Sequence, residues 1–231
     1  MPHRMLIPSV EKRLSSFIDL TQKATKQSEK EAKKKPTITI SREFGCCGYP
    51  VAEKLQAVLE KKTKEPWALM DKALLMEVAK DHGLLENVLA RLGEKSRVVE
   101  DIVSTLSSHW LTEKDYYKLL CREILSLAAG GNVIIVGRGA SIITQCFENC
   151  FHFRLFGSEK FKINYIAKRL SLPPEKAGTL VRDKQQERET FVRDFLNCDP
   201  KELSYYHLVF NNDKVLCEDI AEVIASYVLS Q

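Results

Sequence analysis

The sequence lacks the long apolar runs, the secretion signal and the metal-binding motifs that define several large classes of protein. No apolar stretch approaches the ~20 residues that span a bilayer, and residues 1–20 contain no apolar core of a secretory signal. The seven cysteines are scattered, with no C-x-x-C pair and no histidine at zinc-site spacing. These absences favour a cytoplasmic protein with reduced thiols.

The chain also lacks a strong excess of charge. Its net charge is +4 over 231 residues, of which 44% are hydrophobic and 29% charged. An excess this small and scattered does not argue for a nucleic-acid partner, but it fits binding of small anions such as nucleotides. The length suits one α/β domain with an appendage. We therefore expect a nucleotide ligand, with neither a nucleic-acid nor a membrane partner.

Residues 1–35 are predicted to form a helical appendage and linker ahead of a domain at 36–231. Apolar residues recur at helical spacing up to Leu20, and a polar, lysine-rich stretch follows as far as Pro36. A helix that packs on its own domain explains this pattern. The alternative is a helix that docks a protein partner or a second copy of the chain.

The first strand, turn and helix follow this appendage. Thr37 to Ile40 is β-branched throughout, Gly45 and Gly48 mark a tight loop, and Pro50 suits the first turn of a helix. A glycine loop before a helix N-terminus can hold a phosphate. However, the lysine of the G-x-x-x-x-G-K-[ST] motif would fall at Gly48 and is missing. From the residues alone, a phosphate site and a structural turn both remain open.

The run Ile-Ser-Arg-Glu-Phe-Gly at 40–45, with Gly48 following, resembles the ISREFGSGG signature of the cytidylate-kinase-like proteins. These are a bacterial branch of the nucleoside-monophosphate kinase superfamily, and the resemblance covers about 36 to the C-terminus. It implies a P-loop-type fold and phosphoryl transfer from ATP to CMP, dCMP or a related acceptor. Mg²⁺ is implied as well, and Glu43 or Asp71 could hold it through water.

The resemblance also implies roles for the loop. Arg42 would supply positive charge in place of the missing lysine. The donor phosphates would be cradled by the backbone N–H groups of Gly45, Cys46, Cys47, Gly48 and Tyr49.

Two strand ends are candidates for the acceptor site. Asp71 and Lys72 follow the second apolar run, and Arg138 follows the strand Val133–Val136 between two glycines. Ligands of open α/β sheets lie outside the carboxyl ends of strands, and guanidinium binds phosphate in a bidentate fork. The alternatives are that Asp71 only caps a helix and that Arg138 only forms an ion pair.

A charged helix at about 175–196 resembles the lid of nucleoside-monophosphate kinases. Arg182 and Arg188 would close over the transferring phosphoryl group, with Arg193 one turn further. A solvated, charge-rich helix face is the alternative. A helical insert is predicted at about 84–118, where the superfamily places its acceptor-binding subdomain.

Each apolar strand is followed by a helix, which indicates a parallel sheet covered on both faces. We predict a P-loop-kinase-like, three-layer α/β/α fold with a five-stranded parallel sheet, a helical insert and the N-terminal helical appendage.

The loop departs from the family signature, and other functions follow from that. Cys46 and Cys47 replace small residues, and Pro50 removes one N–H group that would face an anion. The second hypothesis is therefore a catalytically weak or inactive nucleotide sensor, or a protein-interaction module on the same fold. A third is thiol regulation with Cys46 and Cys47 as the redox element, although adjacent cysteines rarely form an unstrained disulfide.

Overall fold

The structure is a computed structural model that describes residues 35–75 and 113–231. The predicted appendage at 1–35, apart from its last residue, and residues 84–112 of the predicted insert lie outside these ranges. The strands are β1 (Thr37–Arg42), β2 (Ala68–Met70), β3 (Val133–Val136), β4 (Cys150–Phe156) and β5 (Leu208–Asn211). The helices are α1 (Gly48–Thr63), α2 (Glu113–Gly130), α3 (Ala140–Ile143), α4 (Glu159–Leu170), α5 (Pro174–Leu196) and α6 (Cys217–Leu229), with a short 3₁₀ turn at Leu203–Tyr205.

The five strands form one parallel sheet in the order β2-β3-β1-β4-β5, which confirms the predicted fold. After β1 the chain crosses to the edge strand β2 and returns to β3, beside β1. It then passes over β1 and adds β4 and β5 on the other side of the sheet. The first strand is therefore flanked by β3 and β4. In such sheets the crevice at the carboxyl ends, beside this reversal of direction, is where ligands bind.

Alternation along the strands gives the two faces of the sheet different characters. On one face Ile38, Ile40 and Phe153 pack against α1 and α6, and this cluster is almost completely buried. On the other face β3 presents Val133 and Ile135 to α2. The neighbouring β1 and β4 place polar side chains on that second face, including Thr39, Ser41, His152 and Arg154, with Thr39 opposite His152 and Ser41 opposite Arg154.

Local signals placed most helix ends correctly. Ser158 caps α4, since its hydroxyl accepts a hydrogen bond from the Phe161 N–H at 3.2 Å. Gly131 follows α2 with a φ of +71° and donates to Leu127, which is the predicted C-terminal glycine cap. The four-residue α3 was not predicted from the sequence. Within the described residues, no helix has the length and apolar character needed to cross a membrane.

Candidate functional site

A cavity of about 460 Å³ opens at the carboxyl end of the sheet. It lies beside the ends of β1 and β3, and α3, α5 and the segment before β5 close its sides. Its lining is rich in positive charge and contains two carboxylates, those of Glu187 and Glu189. The basic residues of the lining are Arg42, Lys72, Arg138, Arg154, Lys184 and Arg188.

Arg42 reaches the cavity through a passage between two glycines. A Cβ at Gly48 would lie 2.8 Å from Arg42 Cγ, and one at Gly137 would overlap Arg42 Nη1. Gly137 also has a φ of +84°, a conformation that L side chains rarely adopt. Both glycines are therefore required for this path of the arginine side chain.

Three arginines influence one another inside the cavity. Burial, and then the charges of Arg188 and Arg138, lower the pKa of Arg42 to about 9. Burial and then Arg138 lower the pKa of Arg188 to about 10. Within residues 35–75 and 113–231, neither Arg42 nor Arg188 has a carboxylate at ion-pair distance. Partly desolvated positive charges of this kind favour binding of an anion.

Two side chains of helix α5 form hydrogen bonds with the backbone at the end of β1. The Phe44 N–H donates to Gln185 Oε1 at 2.8 Å, and Arg188 Nη1 donates to the Arg42 carbonyl at 3.3 Å. The Arg188 guanidinium also lies 4.9 Å from the centre of the Phe44 ring. In this conformation the lid-like helix covers the cavity with Arg188.

Most backbone N–H groups of the β1–α1 loop already donate hydrogen bonds to acceptors within the protein. Cys46 N donates to the Glu43 carbonyl at 3.3 Å, Gly48 N to the Cys46 carbonyl at 2.7 Å, and Cys47 N to Asn212 Oδ1 at 2.9 Å. Gly45 lies against the backbone of Lys162. None of the residues 45–49 lines the cavity. The predicted phosphate cradle at Gly45, Cys46, Cys47, Gly48 and Tyr49 remains a prediction, and it requires these bonds to be exchanged for bonds to the ligand.

Glu43 is occupied by cations rather than facing a ligand. Its carboxylate lies 2.7 Å from Lys162 Nζ and 3.8 Å from Arg154 Nη2. The described part of the chain contains no group of three or more metal-ligating side chains. The predicted water-mediated role of Glu43 toward Mg²⁺ stays a prediction, and it requires these ion pairs to be loosened.

The predicted acceptor residues lie on the β2 and β3 side of the site. Asp71 Oδ1 accepts the Leu74 N–H at 3.0 Å, which is the capping role, and its charge raises the pKa of Arg42. Lys72 lines the cavity, and its pKa is lowered chiefly by Arg138. The Arg138 guanidinium lies 4.7 Å from the centre of the Phe191 ring.

The two predicted lid arginines have different surroundings. Arg188 lines the cavity, whereas Arg182 is 63% exposed and pairs with Glu159 at 3.2 Å. Arg193, one turn further, is also exposed and pairs with Glu189. The catalytic role of Arg182 stays a prediction, since in this conformation its guanidinium is held outside the cavity.

Sequence reasoning missed the polar wall of the cavity. Arg154 is 5% exposed, and its Nη1 donates to the Pro200 carbonyl at 2.6 Å and contacts the Tyr206 hydroxyl at 3.4 Å. His152 Nδ1 lies 2.8 Å from Thr39 Oγ1, and burial lowers the pKa of His152 to about 4. The alternation of apolar and polar residues in β4 was a signal for this wall.

The loop cysteines have separate partners. The thiols of Cys47 and Cys217 interact with each other, and this interaction lowers the pKa of Cys217 to about 7. Burial raises the pKa of Cys46 to about 12. All cysteines of the described residues are free thiols. Cys47 therefore interacts with Cys217, at the start of α6. The role of Cys46 and Cys47 as a redox pair stays a prediction.

The parallel sheet, its strand order and the basic cavity at its carboxyl edge define the class of kinase-like α/β proteins. The model of the cytidylate kinase-like family matches residues 37–214. The chain belongs to this family, which supports a kinase-like, nucleotide-binding protein. A search of curated proteins found no match.

One solved structure shows the same fold. The chain is similar to the crystal structure of an uncharacterized protein from Eubacterium ventriosum, with a TM-score of 0.65 and 22% identity. That alignment covers 86% of this chain and 100% of the other. A shikimate kinase from Bacteroides thetaiotaomicron matches with a TM-score of 0.45 and 12% identity, over 84% of this chain and 98% of the other.

Proposed function

We propose that this protein binds a nucleoside monophosphate in the basic cavity and transfers the γ-phosphoryl group of ATP to it, with CMP or dCMP as the acceptor. The observation that carries the proposal is the convergence of Arg42, Arg138 and Arg188 on one cavity at the carboxyl edge of a kinase-like sheet. Family membership supports the choice of a nucleotide as the ligand.

The acceptor phosphate would lie among these three guanidinium groups. Arg138 is fixed by its contact with Phe191, and Arg188 by Phe44 and the Arg42 carbonyl, so both are held before a ligand arrives. Each guanidinium can donate two parallel hydrogen bonds to phosphate oxygens. Binding would also offset the burial and the repulsion from neighbouring arginines that lower the pKa of Arg42 and of Arg188.

The same arginines would favour transfer itself. Charge spreads over the equatorial oxygens of the phosphoryl group during transfer, and positioned cations in a water-poor site stabilise it. Among the arginines of the lid-like helix within the described residues, Arg188 is the one that lines the cavity. Mg²⁺, when bound, would neutralise donor phosphate charge, and we assign no protein ligand to it.

A nucleotide sensor without transfer is the second candidate. It is favoured by the β1–α1 loop, in which the amides of Cys46, Cys47 and Gly48 donate to protein acceptors and no lysine is present. On this reading the acceptor-side cavity binds its nucleotide while the donor site has lost its phosphate contacts.

Calorimetric titration under reducing conditions separates these proposals. The wild type, Arg188→Ala and the control Arg169→Ala are each titrated with CMP and with Mg·ATP, and turnover is then assayed. Arg169 is the control because it bonds to Tyr165 Oη on α4 and does not line the cavity. We expect Arg188→Ala to weaken CMP binding by about tenfold to a hundredfold, because it removes a charge-assisted contact.

The outcomes are distinct. Binding of both nucleotides with turnover supports the kinase, and binding of CMP without Mg·ATP supports the sensor. A folded wild-type protein that binds neither nucleotide would overturn both proposals.

A further inference from the structure

The turn that carries Arg138 has a backbone that L side chains rarely adopt. Gly137, Arg138 and Gly139 are three consecutive residues with positive φ, of +84°, +57° and +71°. Glycine adopts such angles without strain, but an arginine keeps them only where the surrounding structure holds it. All three residues line the cavity. The contacts that hold this turn therefore decide where the Arg138 guanidinium lies.

Arg138 packs against an aromatic ring of the lid-like helix α5. Its guanidinium carbon lies over the Phe191 ring, 4.7 Å from the ring centre. The face of an aromatic ring attracts a cation at this distance, and the attraction is stronger where water is excluded. Phe191 also lines the cavity and packs against the buried apolar cluster beside β3. The ring is thus a supporting surface for the guanidinium.

Two further rings hold Phe191 in place. The Tyr117 ring on α2 meets it edge-on, at 5.2 Å between centres and 87° between planes. The Phe195 ring lies 5.0 Å from Phe191 and 4.7 Å from Tyr117. Tyr117 is 6% exposed, and its hydroxyl would lie 3.4 Å from a Cβ at Gly139. The three rings therefore contact the turn at two successive residues.

The same face of α5 holds both guanidinium groups that approach the cavity from opposite partners. Arg188 and Phe191 are three residues apart on the helix, so their side chains are neighbours. Arg188 lies 4.9 Å from the centre of the Phe44 ring, beyond the end of β1, while Phe191 supports Arg138, beyond the end of β3. A shift of α5 would therefore displace both guanidinium groups together.

We propose that Phe191 is a positioning residue whose ring holds the Arg138 guanidinium where it binds the acceptor phosphate. The acceptor site is then complete only while α5 lies against the β3–α3 turn. This inference rests on the proposed function and extends it, because it makes binding of the acceptor phosphate depend on the position of the lid-like helix.

The test compares two ligands that share a phosphate and differ in the base. Wild type, Phe191→Leu, Phe191→Tyr and the control Phe195→Leu are titrated calorimetrically with ribose 5-phosphate and with CMP. Phe195 is the matched control because it lies on the same helix and in the same ring cluster but does not line the cavity. Melting temperatures check the fold of each variant, and Phe191→Met, which keeps a long apolar side chain, replaces a leucine variant that does not fold.

We expect Phe191→Leu to weaken binding of both ligands about fivefold, because the guanidinium loses its aromatic support. Phe191→Tyr, which retains the ring, should restore both affinities to within about twofold of wild type. Phe195→Leu should lower the melting temperature and leave both affinities unchanged.

A double-mutant cycle shows whether Phe191 acts through Arg138. In an Arg138→Ala background, Phe191→Leu should cause no further loss of CMP affinity. The same loss in both backgrounds, a loss for CMP alone, or no loss at all would overturn the positioning role and leave the proposed function standing. A folded wild type that does not bind CMP would overturn the proposed function, and this inference with it.

Discussion

Arg188 on α5 donates a hydrogen bond from Nη1 to the backbone carbonyl of Arg42 at the end of β1, at a distance of 3.3 Å. The contact joins the lid-like helix to the strand that precedes the glycine loop. It also brings two guanidinium groups into one cavity, where burial and then the charge of Arg188 lower the pKa of Arg42. The predicted lid and the predicted substitute for the P-loop lysine thus meet at one place.

The passage of Arg42 past Gly137 gives a first prediction. Gly137→Ala should displace the Arg42 guanidinium and weaken CMP binding about tenfold or more, because the new Cβ would overlap Nη1 and the φ of +84° disfavours alanine. Gly130→Ala is the control, since a Cβ there meets nothing within 4 Å. Calorimetric titration measures both, and an unchanged affinity in Gly137→Ala would show that Arg42 is not needed where it lies.

The buried carboxyl group of Glu123 gives a prediction on stability. Burial raises its pKa to about 7, above the unfolded value near 4.5, so the folded protein holds the proton more tightly. The stability that this proton contributes is complete below about pH 4.5 and is lost as the pH rises through 7. Glu123→Gln should therefore stabilise the protein at pH 8 by on the order of 3 kcal/mol and have little effect at pH 4.

Urea unfolding of wild type and Glu123→Gln at several pH values measures this difference. A stabilisation that is equal at pH 4 and pH 8 would mean that titration of this carboxyl group is not its cause.

The thiol pair at the start of α6 gives a prediction on reactivity. Cys217 is partly exposed and its pKa is lowered to about 7, first by its interaction with the Cys47 thiol. Alkylation of Cys217 by iodoacetamide should rise steeply through about pH 7, because the thiolate is the nucleophile. Cys47→Ala should slow it about tenfold at pH 7, since the interaction that lowers the pKa of Cys217 is gone.

Mass spectrometry of the labelled peptides gives these rates, with the exposed Cys146 as the internal reference. If Cys47→Ala leaves the rate at Cys217 unchanged relative to Cys146, the two thiols do not interact.

Much of the fold could be predicted from local sequence signals. The all-apolar run at Val133–Val136 marks a strand buried on both faces, and β3 has these bounds. Gly131 and Ser158 mark helix ends through their own backbone and side-chain chemistry. Such signals act within a few residues, so a single sequence carries them.

The candidate site could be predicted only in part, because its contacts join distant segments. Arg42 and Arg188 were singled out by motif and charge, and both line the cavity. The loop amides were read as free because sequence does not show that Asn212, 165 residues further along the chain, accepts from Cys47. Ser141 and Arg154 were missed for the same reason, since the cavity they line forms only when β1, β3 and β4 are side by side.

The central claim, that the converging arginines form an anion site for the acceptor nucleotide, is tested most directly by titrating CMP into wild type, Arg188→Ala and Arg182→Ala. The two substitutions remove the same charge from the same helix, but Arg188 lines the cavity while Arg182 pairs with Glu159 on the surface. The account predicts at least a tenfold loss of CMP affinity for Arg188→Ala and less than twofold for Arg182→Ala. Equal affinities in all three proteins, or a loss confined to Arg182→Ala, would contradict it.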